Sequence, residues 1–161
     1  MARKPPAGTP AVLALTRAGI SHTLHAYDHD PRVTNYGLEA AAALGVDAES
    51  VFKTLLADVD GSLVVGIVPV TGQLDLKALA RAVGGSRAAM ADPAAAQRAT
   101  GYIIGGISPL GQKRSHPTVL DETAILHEVI YVSGGRRGLD IGIAPDDLIA
   151  ATRGRYAAIA R

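Results

Sequence analysis

Apolar and polar positions alternate in short blocks along the chain, and the residues between the blocks are the ones that start and stop regular structure. In "TPAVLALTRAG" the apolar residues recur at helical spacing, with Thr9 suited to cap, Pro10 to the first turn and Gly19 to a left-handed close. "SHTLHAY" reads as a short strand, and the polar "DHDPRVTN" as a loop before a second helix through "LEAAAAL" that stops at Gly45. "FKTLLADV", the turn "DG" and "SLVVGIVPV" form the clearest hairpin, because Asp60 and Gly61 supply the backbone angles such a turn requires. "LDLKALARAV" has helical spacing and ends at Gly84 and Gly85, and "AAMA" follows as a short strand. "DPAAAQRATG" predicts a short helix capped by Asp92, with Pro93 in its first turn and Gly101 at its end, and "YIIGGISPLG" passes from strand to glycine-rich loop. "EVIYVS", "GGRRG" and "LDIGIA" read as a second hairpin with a longer loop, followed by a helix from Pro145 through "DDLIAAT". Helices and strands mix without regular alternation. The expected fold is therefore a single α/β (α+β) domain around a mixed, barrel-like sheet, in preference to a doubly wound parallel one.

Composition narrows this picture only where it excludes something. The 161 residues, 48% apolar and 19% charged, suit one domain over residues 9–161, with a loose leader over residues 1–8 that Pro5, Pro6 and Gly8 keep irregular. With no Trp and one Phe, the core must be built mainly from Ala, Val, Leu and Ile. A formal net charge of +1 provides no global field for polyanions, so any nucleic-acid contact has to come from a local cluster of Lys and Arg. The absence of cysteine excludes disulfides, thiolate metal sites and a cysteine nucleophile. The longest apolar run, "LVVGIVPV", is too short to cross a bilayer, and the N-terminus lacks a signal-peptide pattern; cytoplasm is the expected compartment.

Four stretches could carry chemistry: "HAYDHD", "VFKTLL", "GYIIGGISPLGQKR" and "YVSGGRRGLDI". Lys53 puts a cation into a run that otherwise reads as a buried strand, on the same side as Leu55 and opposite Phe52 and Thr54. A lysine near a strand end can simply lay its stem along apolar surface; the alternative is a fixed cation at the mouth of a pocket. In "GGISP" two glycines and a proline let the backbone turn amide hydrogens toward a ligand, or merely bend between elements. It is not a P-loop, since no Gly-Lys-Ser/Thr follows at the required spacing. Neither Ser108 nor Ser133 sits in Gly-x-Ser-x-Gly or pairs with an evident base. His22, His25, Asp28 and His29 match no common zinc spacing, so no metal is expected. Lys113 and Arg114, with Arg136 and Arg137 at the second hairpin, suit phosphate contacts and are equally ordinary on solvated loops.

Together these stretches, with "MADPAAAQRATG" and "IAPDDL", stand in an order and spacing that resemble the bacterial YbaK family of cysteinyl-tRNA(Pro) deacylases, related to the editing domain inserted in bacterial prolyl-tRNA synthetases. The resemblance covers nearly the whole chain, and "TGY" followed by "GGISPLGQK" is its most specific part. It implies a free-standing domain acting in trans on mischarged tRNA without a cofactor. Activity would depend most on the lysine of "FKT", here Lys53, with Thr54 beside it; Tyr27 and Tyr36 would line the pocket, the latter where relatives often carry Phe. Gly105, Gly106 and Ser108 match the loop facing the substrate, and Ser133 and Asp140 match positions near the same pocket. Independently of the resemblance, the placement of Lys113, Arg114, Arg136 and Arg137 beside the two glycine loops predicts a rim facing tRNA. The implied chemistry is attack by the substrate's own thiol on its ester carbonyl, releasing a cyclic thioester, which gains from proximity. Prolyl-tRNA synthetase is the implied partner. A sister editing enzyme for alanyl- or seryl-tRNA, and a non-catalytic module that docks on the synthetase or tRNA, are the alternatives.

Overall fold

The computed structural model describes residues 8–161, so of the expected leader only Gly8 falls within it. The described residues run α1 (Pro10–Ala18), β1 (Thr23–Ala26), α2 (Tyr36–Leu44), β2 (Phe52–Val59), β3 (Ser62–Pro69), α3 (Leu76–Ala82), β4 (Ala88–Met90), α4 (Pro93–Thr100), β5 (Thr118–Asp121), β6 (Ile130–Arg136), β7 (Leu139–Ile143), α5 (Pro145–Thr152) and β8 (Arg155–Ala157). Short 3-10 turns at Ala48–Ser50 and Glu122–Leu126 precede β2 and β6. The helix starts obey local chemistry: Thr9, Asn35, Asp75 and Asp92 each accept a backbone N–H of the first turn of α1, α2, α3 and α4. Asp60 and Gly61, at φ 52° and 91°, turn β2 into β3 over a full antiparallel register from Phe52–Pro69 to Val59–Ser62.

The strands form two sheets that are not closed into a barrel. One has five strands in the order β4-β2-β3-β5-β8, antiparallel at β4-β2-β3 and parallel at β3-β5-β8; the other is the antiparallel β1-β7-β6. A single parallel bridge, Val51 to Tyr131, joins them at the start of β2. Between the sheets lies the main core, where Phe52, Leu56, Ile67 and Leu120 meet Ile130, Leu139 and Ile141, with Leu15 of α1 and Leu148 of α5 closing it. The other face of the larger sheet packs Ala57, Val64, Val68 and Val119 against Leu79 of α3 and Ile159. Each of these side chains is at most a few per cent exposed, and burying one of the valines, leucines, isoleucines or Phe52 contributes about 1.5–3 kcal/mol.

Two expectations are corrected by the fold. Residues 102–110 contain no strand: the Ile104 N–H donates to Gln97 Oε1 at 3.0 Å and the Ile104 carbonyl accepts from Arg137, so side chains take the bonds a neighbouring strand would have made. The loop of the second hairpin is shorter than the pattern predicts, because β6 starts at Ile130 and continues through a bulge between Ser133 and Arg136, which leaves Arg137 and Gly138 as the turn before β7. Two strands, β5 and β8, escape the sequence pattern entirely. Asp121 at the end of β5 is 2% exposed and ties the C-terminal segment down, its Oδ1 accepting the Ile159 and Ala160 N–H groups at 2.9 Å each.

Candidate active site

The start of β2, the β6–β7 pair, the residue after β1, the first turn of α2 and the Ile104–Gly105 loop surround a cavity of about 510 Å³. Its lining includes Lys53, Thr54, Tyr27, Tyr36, Gly105, Ser133 and Asp140, seven residues that the sequence and its family resemblance nominate. Ser133 and Asp140 face each other across the β6–β7 register, which puts both on one face of the smaller sheet. Ser133 Oγ accepts the Gly135 N–H at 3.2 Å and so holds the bulge. Tyr27 enters just beyond β1, fixed by its N–H donating to the Gly138 carbonyl at 2.9 Å. Tyr36 is the first residue of α2, placed by the Asn35 cap.

The charges in this cavity are unusual because burial works against them. Asp140, 6% exposed, has its carboxyl pushed up to about 7 by desolvation. Desolvation likewise pulls the Lys53 ammonium below the ordinary lysine range. No ion pair or hydrogen bond of either side chain occurs among the described residues, so the two do not neutralise each other. Thr54 Oγ1 is buried and has no hydrogen-bond partner among the described residues. The Tyr27 hydroxyl is raised to about 12, first by burial and then by the Asp140 and Glu39 charges. Lys53 and Asp140 thus line one space without partners among the described residues, and Thr54, which also lines it, keeps a buried unpartnered hydroxyl, an arrangement that costs stability unless a ligand or a small shift satisfies it.

Other nominated residues lie elsewhere. Ser108 is fully buried and turned into its own loop, where its Oγ accepts the Leu110 N–H at 3.2 Å. That loop is further pinned by the Tyr102 hydroxyl, which donates to the Leu110 carbonyl at 2.7 Å. Gly106 packs against the β6–β7 turn: a Cβ there would lie 2.8 Å from Arg136 Cα, so no larger residue fits. Lys113, Arg114 and Arg136 are exposed, but Arg114 lines a different cavity of about 200 Å³ beside α1 and α5 that shares no residue with the first. Arg137 is turned inward onto Ile104.

His22, His25 and His29 diverge to separate partners, the Ile20 carbonyl, Thr23 Oγ1 and Glu39, and no cluster of three or more His, Asp or Glu suited to a metal occurs among the described residues. Sequence reasoning misses Thr34, Asn35, Ile104 and Ile107 of the cavity wall. Asn35 could have been found as the helix cap directly before Tyr36; the isoleucines carry no local signal.

Comparison with known proteins assigns the chain a family. A family model described as the aminoacyl-tRNA editing domain matches residues 31–151, which include all seven nominated lining residues except Tyr27. The chain belongs to the aminoacyl-tRNA editing domain family. It is 39% identical over 120 residues, 74% of this chain and 73% of the relative, to a protein of Enterococcus faecalis named "Putative Cys-tRNA(Pro)/Cys-tRNA(Cys) deacylase EbsC". It is 30% identical over 100 residues to a proline–tRNA ligase of Maridesulfovibrio salexigens, where the match covers 62% of this chain and 17% of the ligase. A solved structure described as a "putative trans-editing enzyme for prolyl tRNA synthetase" superposes with a TM-score of 0.86 at 25% identity, covering 99% of each chain. Editing of aminoacyl-tRNA is the activity class of this domain, and charged tRNA its substrate class. No helix among the described residues is long and apolar enough to cross a membrane.

Proposed function

We propose that the chain removes cysteine from mischarged Cys-tRNA(Pro), and that it does so by positioning the substrate, with no nucleophile of its own. The observation that carries this reading is the cavity itself. Lys53, Thr54 and Asp140 line it without side-chain partners among the described residues, whereas Ser108 Oγ and Ser133 Oγ are engaged with backbone amides and the chain has no cysteine. The 39% identity to the Enterococcus protein supports cysteine as the amino acid removed.

In this mechanism the substrate thiol attacks its own ester carbonyl: a C–S bond forms, the C–O bond to the terminal ribose breaks, and the thiol proton ends on the ribose oxygen. The cyclic thioester hydrolyses afterwards. Holding thiol and carbonyl together makes the attack intramolecular, which is where positioning has its largest effect. Lys53 binds a terminal phosphate or sugar oxygen, or stabilises negative charge on the leaving oxygen. Asp140 in its ionised form receives the substrate's ammonium, and Thr54 donates to an ester oxygen. The Gly106 N–H is already given to the Ile103 carbonyl at 2.9 Å, which leaves the Gly105 amide for the ester carbonyl. Lys113, Arg114 and Arg136 supply cations for the tRNA backbone. The synthetase that charges proline is the partner the ligase relative suggests.

Chemistry of this kind discriminates better than shape, since one small side-chain group in a pocket is worth only ~1–3 kcal/mol. The test is single-turnover deacylation of tRNA(Pro) charged with cysteine, S-methylcysteine, alanine, serine or proline. Release of cysteine alone is expected. Equal release of S-methylcysteine would remove the thiol from the mechanism, release of alanine or serine instead would move the chain to a sister activity, and binding without release would make it a docking module.

A further inference from the structure

Arg137 is one of the four cations that the sequence nominates for phosphate binding, yet its guanidinium is committed to the protein. Nε and Nη2 both donate to the Ile104 carbonyl, at 2.9 and 2.7 Å. Its central carbon lies 4.8 Å from the centroid of the Tyr36 ring, within cation–π range. Gly105 is clamped between the two: at φ +87° its missing Cβ would sit 2.8 Å from Tyr36 Cδ2 and 2.9 Å from Arg137 Nε. Three chain segments far apart in sequence, the first turn of α2, the Ile104–Gly105 loop and the β6–β7 turn, therefore converge on one side chain. Tyr36, Ile104 and Gly105 all line the cavity, and Arg137 does not.

The loop would have little to hold it otherwise. Ile103 and Ile104 are 53% and 36% exposed, so core packing does not anchor them. Besides Arg137, what holds the Ile104 backbone is the bond from its N–H to Gln97 Oε1, and a tight turn closes from the Gly106 N–H to the Ile103 carbonyl. On the other side, the Tyr36 ring lies 5.6 Å from His29, whose Nδ1 meets Glu39 Oε1 at 2.6 Å. The ring thus stands between a guanidinium and an imidazole that is itself tied to α2. A planar fork bonds one carbonyl with two N–H groups while its face stacks on a ring; an ammonium is a compact point charge without that plane, and cannot reproduce the forked, stacked geometry.

We propose that Arg137 is a positioning and specificity-determining residue, which locks Tyr36 and the Ile104–Gly105 peptide into one wall and so sets the width of the cavity entrance for a small aminoacyl group. The inference rests on the editing function proposed above. It assigns Arg137 no contact with tRNA phosphate.

Arg137→Ala and Arg137→Lys, with Arg136→Ala as the reference for a phosphate contact, separate these roles. Single-turnover deacylation of cysteinyl- and prolyl-tRNA(Pro), the salt dependence of tRNA binding, and hydrogen exchange of residues 103–106 are measured for each. For both Arg137 variants the expected result is faster exchange at 103–106, about a tenfold fall in the cysteine-to-proline rate ratio, and a salt slope equal to that of the wild type. Arg136→Ala is expected to make the slope shallower and leave the ratio intact. A shallower salt slope with an unchanged ratio for Arg137→Ala would overturn the proposal. Full recovery of the ratio by Arg137→Lys would do so as well, because it would show that the planar fork is not needed. If the wild-type protein releases no amino acid at all, the editing reading fails, while unchanged exchange at 103–106 in the variants would refute the clamp by itself.

Discussion

Replacing Asp140 by Asn removes a charge and almost no volume, so it isolates what burying that carboxyl costs. In the folded protein the carboxyl keeps its proton up to a pH of about 7, against 3.8 for the ordinary group, and burial is the cause. Between those two values the folded state binds more protons than the unfolded one, so wild-type stability falls as pH rises through this window and levels off above about 7. At about 1.36 kcal/mol per pH unit the whole loss is about 4 kcal/mol. Domains of this kind are stable by only about 5–15 kcal/mol, so the effect is large. The amide introduced by Asp140→Asn carries no charge to desolvate. Urea unfolding of both proteins at pH 5, 6, 7 and 8 should show the variant more stable, with a gap that widens by about 1.4 kcal/mol per unit up to pH 7 and then stays constant. All other titrating groups are common to both and cancel. The variant should also lose deacylation if, as proposed, the ionised carboxyl receives the substrate's ammonium. A gap that does not change with pH, or an Asp140→Asn protein less stable than wild type at pH 8, would refute the reasoning.

Thr54→Val should keep or raise the melting temperature, because it deletes a buried hydroxyl that has no partner, while lowering single-turnover deacylation if that hydroxyl meets the ester. A large loss of stability would mean the hydroxyl has a structural bond in solution. Gly105→Ala forces a side chain into φ +87° and against Tyr36 and Arg137; a cost of about 1–2 kcal/mol from the backbone alone and roughly tenfold slower turnover are expected from denaturation and single-turnover assays. Asp121→Ala strips the acceptor from two backbone N–H groups at the C-terminal segment, and should destabilise by about 2–4 kcal/mol in urea without a selective change in the cysteine-to-proline rate ratio.

Most helices are legible because their ends are written in local chemistry. Thr9, Pro10 and Gly19 around α1, or Asp92, Pro93 and Gly101 around α4, need no tertiary information, and the same holds for the turn at Asp60 and Gly61. β5 is not legible, since all four of its residues are buried and no alternation of apolar and polar positions marks them. β8, three residues long, pairs in parallel with β5, a partner distant in the chain that nothing local announces. "YIIGG" looks like a strand for the opposite reason: its composition is right, but Gln97 and Arg137 take its backbone groups.

The site divides in the same way. Motif resemblance names Lys53, Tyr27, Tyr36, Thr54, Gly105, Ser133 and Asp140, and the fold brings them to one cavity. It cannot tell which way Ser108 or Arg137 points, because direction depends on the hydrogen bonds each makes in the folded chain. Nor can it reveal that Lys53 and Asp140 share a cavity without pairing. That fact depends on where the start of β2 falls relative to the β6–β7 pair, which the bridge from Val51 to Tyr131 sets.

Of the residues proposed to act in the cavity, Lys53 is the one on which release should depend most, as the cation for a terminal phosphate, a sugar oxygen or the leaving oxygen. Single-turnover release of cysteine from Cys-tRNA(Pro) by Lys53→Ala and Lys53→Met, each checked for wild-type unfolding behaviour, tests this most directly. Loss of release by about a hundredfold or more in folded protein is the predicted result; release within a few-fold of wild type would contradict it.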